Sequence, residues 1–202
     1  MAVERLTVAG EATHEDLVEG SRFIARVWPV GSVDEAEARI AGVRAEHPDA
    51  THNCWAYKVG DDLRFSDDGE PGGTAGRPML EVMLKRGLDG CAAVVTRYFG
   101  GKKLGAGGLV RAYGAAVARA LDAAGVRRLT AYVRLRVRAP YARSAAVLHE
   151  LGDVRKSFDE RGLTAEVAVP AGEEGALRQR LADLTRGEAE VEAVGVEEGP
   201  AS

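Results

Sequence analysis

Residues 91–125 read CAAVVTRYFGGKKLGAGGLVRAYGAAVARALDAAG, and they predict a strand, a glycine-rich loop and a long helix in direct succession. Residues 91–101 are rich in valine and aromatic residues and are bounded by glycines, which is typical of a buried strand. From Leu109 to Leu121 the apolar residues recur at helical spacing, and Gly125 is a suitable residue to end the helix. This succession favours an α+β protein in which helices pack on a sheet.

The residues before this stretch extend the pattern. Ser32 is a good helix N-cap, acidic residues follow it in the first turn, and Pro48 ends that helix. Together residues 1–128 are predicted to form an N-terminal two-layer α/β domain. Its predicted elements before residue 91 are a strand at 21–30, a helix at 33–48, a strand at 51–60 that turns into LRFS at 63–66, a shaped loop at 66–78 and a helix at 79–87.

From residue 129 the pattern changes to strand, helix, strand, strand, helix, strand. This βαββαβ order is that of a ferredoxin-like domain, one sheet with two helices on a single face. We therefore expect a C-terminal domain over residues 129–198. Within it, Arg134, Arg136 and Arg138 alternate with apolar residues and share one face of the first strand. They form either an RNA platform or, as we favour, cross-strand pairs with Glu166 and with Glu188, Glu190 or Glu192.

Composition excludes several classes of protein. The chain is 46% hydrophobic and 29% charged, and no apolar run reaches the roughly 18 residues of a membrane span. The polar, acidic start does not resemble a signal peptide, so a cytoplasmic location is expected. Cys54 and Cys91 are too few for a disulfide framework and lack metal-ligand spacing, so we expect buried free thiols.

Charge is distributed unevenly along the chain. Residues 91–144 carry 11 basic and 1 acidic side chains, a net charge of +10. By contrast, residues 1–90 carry 10 basic and 17 acidic side chains, and residues 145–202 carry 6 basic and 13 acidic ones. Clustered lysine and arginine raise the local concentration of phosphates, so this basic segment indicates an anionic partner.

The glycine-rich loop within the basic segment is a candidate anion site. Backbone amides at a helix N-terminus, beside lysine and arginine, attract phosphate oxygens. The loop does not have the order of a Walker A or a G-x-G-x-x-G motif, so a nucleotide triphosphatase is excluded. The alternative is that the glycines permit tight turning and close packing while the lysines are solvated. The candidate residues are Arg97, Tyr98, Lys102, Lys103, Gly105, Gly107, Gly108 and Arg111. Of these, Arg97, Lys102, Lys103 and Arg111 are expected to contact phosphates, and Tyr98 is expected to offer a stacking face to a base.

A second candidate group surrounds the loop SDDGEPGGTAG at 66–76. Asp67, Asp68 and Glu70 could hold a divalent cation or transfer protons, with His52 on the preceding strand. We favour instead a turn in which aspartate side chains accept hydrogen bonds from backbone amides. The loop lacks the order of an EF-hand, and we assign no metal and no cofactor.

Three motifs resemble the signature of the IMPACT/YigZ-like family: HNCWAY at 52–57, SDDGEPGGTAGRP at 66–78 and VVTRYFGGKKLGAGGLVRAY at 94–113. The resemblance also covers the βαββαβ segment, which is similar to a domain of elongation factor G. It adds Thr74 to the group around the first loop.

The resemblance implies an N-terminal fold similar to domain two of a small-subunit ribosomal protein and to domain IV of elongation factor G. Both relatives handle RNA, so we expect a protein that binds nucleic acid or the ribosome and regulates translation. The eukaryotic members' kinase-linked role accompanies an RWD domain that this sequence lacks, and it is not carried over. Two alternatives remain open: an enzyme acting on a small phosphorylated or acidic metabolite, and a protein-interaction module. The sequence supplies no catalytic constellation that we can assign, and it leaves the oligomeric state unknown.

Overall fold

The computed structural model describes residues 4–200, which divide into two compact units. Residues 5–127 form the first unit, and of the described residues Glu4 and residues 128–200 form the second. Among the described residues, no helix is long and apolar enough to cross a membrane. The chain contains helices and antiparallel sheets throughout, which confirms the α+β class.

The first unit is built on a five-stranded antiparallel sheet with the strand order β2-β3-β6-β4-β5. Each element predicted for this part of the sequence is present, and β1 and β2 precede them. The elements are β1 (Glu4–Val8), β2 (Ala12–Val18), β3 (Ser21–Pro29), α1 (Val33–Glu46), β4 (His52–Val59), β5 (Asp62–Ser66), α2 (Gly76–Lys85), β6 (Cys91–Tyr98) and α3 (Gly105–Ala124).

Helices cover both faces of this sheet because its central strand is apolar on both sides. In β6, Ala93 and Val95 pack in the core that contains α2 and α3. Ala92 and Val94, which alternate with them, pack against α1 instead. The predicted layer of helices on the sheet is therefore formed by α2 and α3, and α1 adds a further layer on the opposite face.

The helix ends follow from local sequence. Ser32 caps α1, because its Oγ accepts a hydrogen bond from the Glu35 amide at 3.1 Å, as expected. Helix α3 begins at Gly105, four residues before the predicted helical spacing starts at Leu109. Gly105 has a φ of 71°, a conformation that glycine adopts at little cost.

The second unit has the predicted βαββαβ order. Its strands are antiparallel in the order β10-β7-β9-β8, the ferredoxin-like arrangement in which the first strand lies between the third and fourth. Its core contains Leu135 and Val137 of β7, Val147 of α4 and Leu181 of α5. The elements are β7 (Val126–Ala139), α4 (Tyr141–Leu151), β8 (Arg155–Asp159), β9 (Gly162–Pro170), α5 (Glu174–Thr185) and β10 (Glu190–Pro200).

Of the three alternating arginines Arg134, Arg136 and Arg138 of β7, the first two are paired with acidic residues across the sheet. Arg136 lies 3.0 Å from Glu166 and 3.9 Å from Glu192, as the cross-strand interpretation predicts. Arg134 pairs with Glu197, which was not among the expected acids, and Glu188 pairs instead with Arg143 at 3.2 Å. Because two of the three arginines already face carboxylates, this sheet face is poorly suited to be an open RNA platform.

Candidate functional site

A buried network of hydrogen bonds lies where the two glycine-rich loops of the first unit meet. Glu70 Oε1 accepts hydrogen bonds from Arg97 Nη1 at 2.6 Å and from the Tyr113 hydroxyl at 2.7 Å. The Glu70 and Arg97 side chains are only 3% and 6% exposed. A buried ion pair of this kind is stable only when both charges are present, so these three residues act as a unit.

Each member of the network comes from a different element. Glu70 belongs to the loop of residues 67–75, here called the acidic loop, which joins β5 to α2. Arg97 lies on β6 and shares the face of Val95, beneath α2 and α3. Its guanidinium also donates to Ser21 Oγ at 3.2 Å and lies 5.3 Å from the Phe23 ring. Tyr113 lies on the inner face of α3, edge-to-face with that same ring.

The acidic loop is closed by Asp67. Its carboxylate accepts hydrogen bonds from the backbone amides of Gly73, Ala75 and Gly76 at 2.7–3.0 Å, and the last two amides lie at the start of α2. The carboxylate thus caps α2, whose N-cap position has no side-chain hydrogen bond of its own. Thr74 also serves the turn, since its hydroxyl donates to the Pro71 carbonyl at 2.6 Å. These contacts are those of the turn that the sequence favoured.

Asp68 fixes the orientation of His52. Its carboxylate accepts from the Asn53 amide at 2.7 Å and pairs with Arg44 at 3.2 Å. The Asp68 carbonyl lies 2.8 Å from His52 Nδ1, and a carbonyl oxygen can only accept, so Nδ1 carries a proton. His52 Nε2 then faces Glu70 Oε2 at 3.7 Å. This ring nitrogen, on β4 beside the acidic loop, is the group best placed for proton transfer.

Cys54 completes the surroundings of Tyr113. Its sulfur lies 3.4 Å from the Tyr113 hydroxyl and 3.0 Å from the Asp67 carbonyl. Burial raises the pKa of the Cys54 thiol, and burial likewise raises the pKa of Tyr113. For Cys91, burial raises the pKa to about 12. Both thiols are buried and free, as predicted, and neither has the lowered pKa of a nucleophilic cysteine.

A cleft of about 310 Å³, here called the small cleft, joins the two glycine-rich loops. Glu70 and Arg97 form part of its lining, so the buried network reaches this cleft. The rest of the lining is mainly apolar, with one lysine. The lining residues are Glu70, Pro71, Arg97, Phe99, Lys103, Leu104, Gly105, Ala106 and Leu109.

A second cleft of about 460 Å³, here called the basic cleft, lies between α3 and the end of β2. Lys103 and Leu104 line both clefts, so the two adjoin. Lys102 pairs with Glu19, and Arg119 pairs with Asp16 at 2.6 Å. Within the described part of the chain, Lys103 and Arg111 form no ion pair. These two cations are therefore the ones available to an anion.

The structure separates two residues that the sequence grouped with these cations. Arg97 was expected to contact phosphate, but its guanidinium is buried and paired with Glu70. Tyr98 was expected to offer a stacking face, but its hydroxyl lies 2.9 Å from His47 Nδ1 and Arg22 lies 5.9 Å from its ring centre. Successive strand residues face opposite sides of a sheet, so Tyr98 lies on the face of α1 and not beside Arg97.

The glycines of the second loop have packing roles as well as the proposed anion-binding role. A Cβ at Gly100 would lie 1.9 Å from the backbone of Gly20, so only glycine permits this close approach. A Cβ at Gly108 would lie 2.9 Å from Leu104 Cβ. At the first turn of α3, no side chain caps the helix and no acidic residue is present. Gly105, Gly107 and Gly108 therefore lie in a turn whose amides are not used by a cap.

The sequence reasoning missed three contributors to this region. Phe99, Arg119 and the acidic pair Asp16 and Glu19 were not proposed, although they line the two clefts. Phe99 could have been found from its position between Tyr98 and a glycine pair in the basic segment. The described residues contain no cluster of three or more His, Cys, Asp or Glu side chains that could hold a metal ion.

The fold and these loops define a class: α+β proteins of two units whose first unit joins two glycine-rich loops over a buried Glu–Arg–Tyr network. The model of the Impact N-terminal domain matches residues 19–121. The chain belongs to the IMPACT family, as its motifs predicted.

The similarity to relatives extends over nearly the whole chain. YvyE of Bacillus subtilis is 39% identical over 92% of this chain and 88% of its own length. YigZ of Escherichia coli is 38% identical over 94% of this chain and 97% of its own length. The IMPACT family member in the pol 5′ region of Thermus thermophilus is 43% identical, with 87% and 99% covered. A crystal structure of a hypothetical protein, 36% identical, has a TM-score of 0.69 with 95% and 98% covered.

Proposed function

We propose that this protein binds RNA, free or in the ribosome, through the basic cleft and acts as a regulator of translation. The observation that carries the proposal is the position of Lys103 and Arg111. Both line the basic cleft beside the uncapped start of α3, and neither forms an ion pair with a described residue. Free cations beside unused helix amides form a site for phosphate oxygens. A ribosomal partner also requires the cytoplasmic location expected from the sequence.

The test is the binding of fluorescein-labelled single-stranded RNA and of ribosomal subunits across a salt series. The Lys103→Ala/Arg111→Ala variant removes both free cations, so affinity falls. The slope of log affinity against log salt falls by about 1.4, because each phosphate contact on a single strand contributes about 0.7.

The matched control is Lys85→Ala/Lys156→Ala, which removes the same charge from exposed positions at the end of α2 and on β8, where neither lysine forms an ion pair with a described residue. Its slope should equal that of the unmodified protein. If the two double variants weaken binding equally, net charge and not the basic cleft is responsible. If the unmodified protein does not bind at physiological salt, the proposal fails.

A second candidate function is an enzyme acting on a small phosphorylated or acidic metabolite. One observation favours it: a concave cleft joins the two loops and contains Glu70, with His52 Nε2 3.7 Å from the Glu70 carboxylate. Asp68, the other proton-transfer candidate, is occupied by Arg44 and the Asn53 amide. Incubation with a pool of phosphorylated metabolites, followed by mass spectrometry, tests it. Turnover that His52→Gln abolishes supports an enzyme, and an unchanged pool counts against one.

A further inference from the structure

Phe99 is an exposed aromatic residue in the lining of the small cleft, and a hydrogen bond fixes its backbone. Its side chain lies in the lining of the small cleft although the residue is 47% exposed. The Phe99 amide donates to Thr51 Oγ1 at 2.9 Å, which ties the backbone to the start of β4. The Arg97 guanidinium lies 5.6 Å from the centre of the ring. The ring is thus pre-positioned, yet much of its apolar surface faces water.

The small cleft suits a planar group with polar edges. Its volume of about 310 Å³ is at the lower end of the range for ligand sites, so it accommodates one ring system and little more. Pro71, Leu104 and Leu109 supply apolar walls, and Glu70 supplies a carboxylate in the lining. Glu70 Oε2 accepts no hydrogen bond from a described residue, because His52 Nε2 lies 3.7 Å away, so this oxygen can accept from an N–H donor in the cleft.

The small cleft continues into the basic cleft. Lys103 and Leu104 line both, so a group in the small cleft lies next to the free cations Lys103 and Arg111. One nucleotide has this combination of features, a planar base with N–H donors joined to an anionic phosphate. Bases of single-stranded RNA are free to stack on aromatic side chains, whereas bases in a duplex are stacked on one another.

We propose that the small cleft receives an unstacked base of single-stranded RNA on the Phe99 ring, while the adjoining phosphates lie in the basic cleft. This inference rests on the proposed function and names its ligand as single-stranded RNA. It transfers the stacking role that the sequence assigned to Tyr98 to the neighbouring residue.

The experiment measures binding of a labelled 12-nucleotide single-stranded RNA, of the duplex of the same sequence, and of a single strand with abasic residues. The unmodified protein should bind the base-containing single strand most tightly. Phe99→Ala should lower that affinity about 5- to 150-fold, the range for loss of one stacked base, and leave the salt slope unchanged. Phe99→Trp should keep the affinity, because it restores an aromatic face.

Phe65→Ala is the matched control, since Phe65 is 44% exposed, lies on the edge strand β5 and lines neither cleft. It should bind like the unmodified protein. If Phe99→Ala also binds like the unmodified protein while the Lys103/Arg111 double variant does not, the base site is overturned and the basic cleft stands. Absence of any RNA binding overturns both. Equal competition by free mononucleotides also overturns the inference, because the site would then serve a free nucleotide.

Discussion

Replacing Glu70 by alanine tests whether the network under the two loops holds the first unit together. The substitution leaves the Arg97 guanidinium buried without its carboxylate and removes the acceptor of the Tyr113 hydroxyl. Breaking a buried ion pair by removing one partner costs about 3–5 kcal/mol. For a urea m-value of about 2 kcal/mol per M, the unfolding midpoint of the first unit should fall by about 2 M. Glu70→Gln keeps an acceptor oxygen and should lose less.

Glu46 provides the control for distance and charge. Its carboxylate lies 2.6 Å from Arg26, the same separation as in the Glu70–Arg97 pair, but the Glu46 side chain is 58% exposed. Glu46→Ala should therefore cost ~0–1 kcal/mol. Tryptophan fluorescence is the assay, because Trp28 and Trp55 both lie in the first unit and report on its unfolding alone. Equal losses for Glu70→Ala and Glu46→Ala would refute the reasoning that burial makes the difference.

Two further predictions concern ionisable groups of the first unit. Burial by itself would raise the pKa of Asp89, but hydrogen bonds from the Gly60 and Gly90 amides and the charges of Arg5 and Lys58 outweigh it, and the pKa is lowered. A carboxylate whose pKa is lowered by folding stabilises the folded state at pH values above its unfolded pKa of about 3.9. This stabilisation is lost as the pH falls through the pKa of the folded state. Asp89→Asn should thus destabilise the unit in urea titrations at pH 7 and much less at pH 3; equal losses would contradict this. Cys54 and Cys91 should resist a disulfide reagent at pH 8 in the folded protein and both react in urea, and fast labelling of either in the folded protein would contradict their burial.

Local signals in the sequence were sufficient to predict most of the fold. The Ser32 cap, the hairpin of β4 and β5, and the βαββαβ order each depend on residues close together in the chain. The third layer was not predicted, although the continuous apolar run of β6 is typical of a strand covered on both faces. The alternation of side chains along β6 does carry information. Residues 93, 95 and 97 share one face, so Arg97 lies beneath the helices with Ala93 and Val95.

The candidate site was predictable only in part, because its pairings join residues far apart in the chain. Glu70 and Arg97 are 27 residues apart, and their contact depends on how the acidic loop folds over β6. The motifs did mark both loops, and His52, Asp67, Asp68 and Glu70 do lie together. Composition cannot show that Asp67 is occupied by three amides or that Tyr98 and Phe99 have different surroundings.

The basic segment illustrates why linear charge is a poor measure of a binding surface. Of its 11 cations, Arg97, Lys102, Arg119, Arg134, Arg136 and Arg143 form ion pairs in the described structure. A paired cation releases no counterion when phosphate arrives unless its carboxylate partner is displaced. With Lys103 and Arg111 alone in contact, the salt slope of RNA binding should be about 1.4, and with Lys102 and Arg119 released from their partners about 2.8. A value near 2.8 that both Glu19→Gln and Asp16→Asn leave unchanged would mean that these two carboxylates yield to RNA, whereas a value near 1.4 means that they remain paired and limit the surface to two cations.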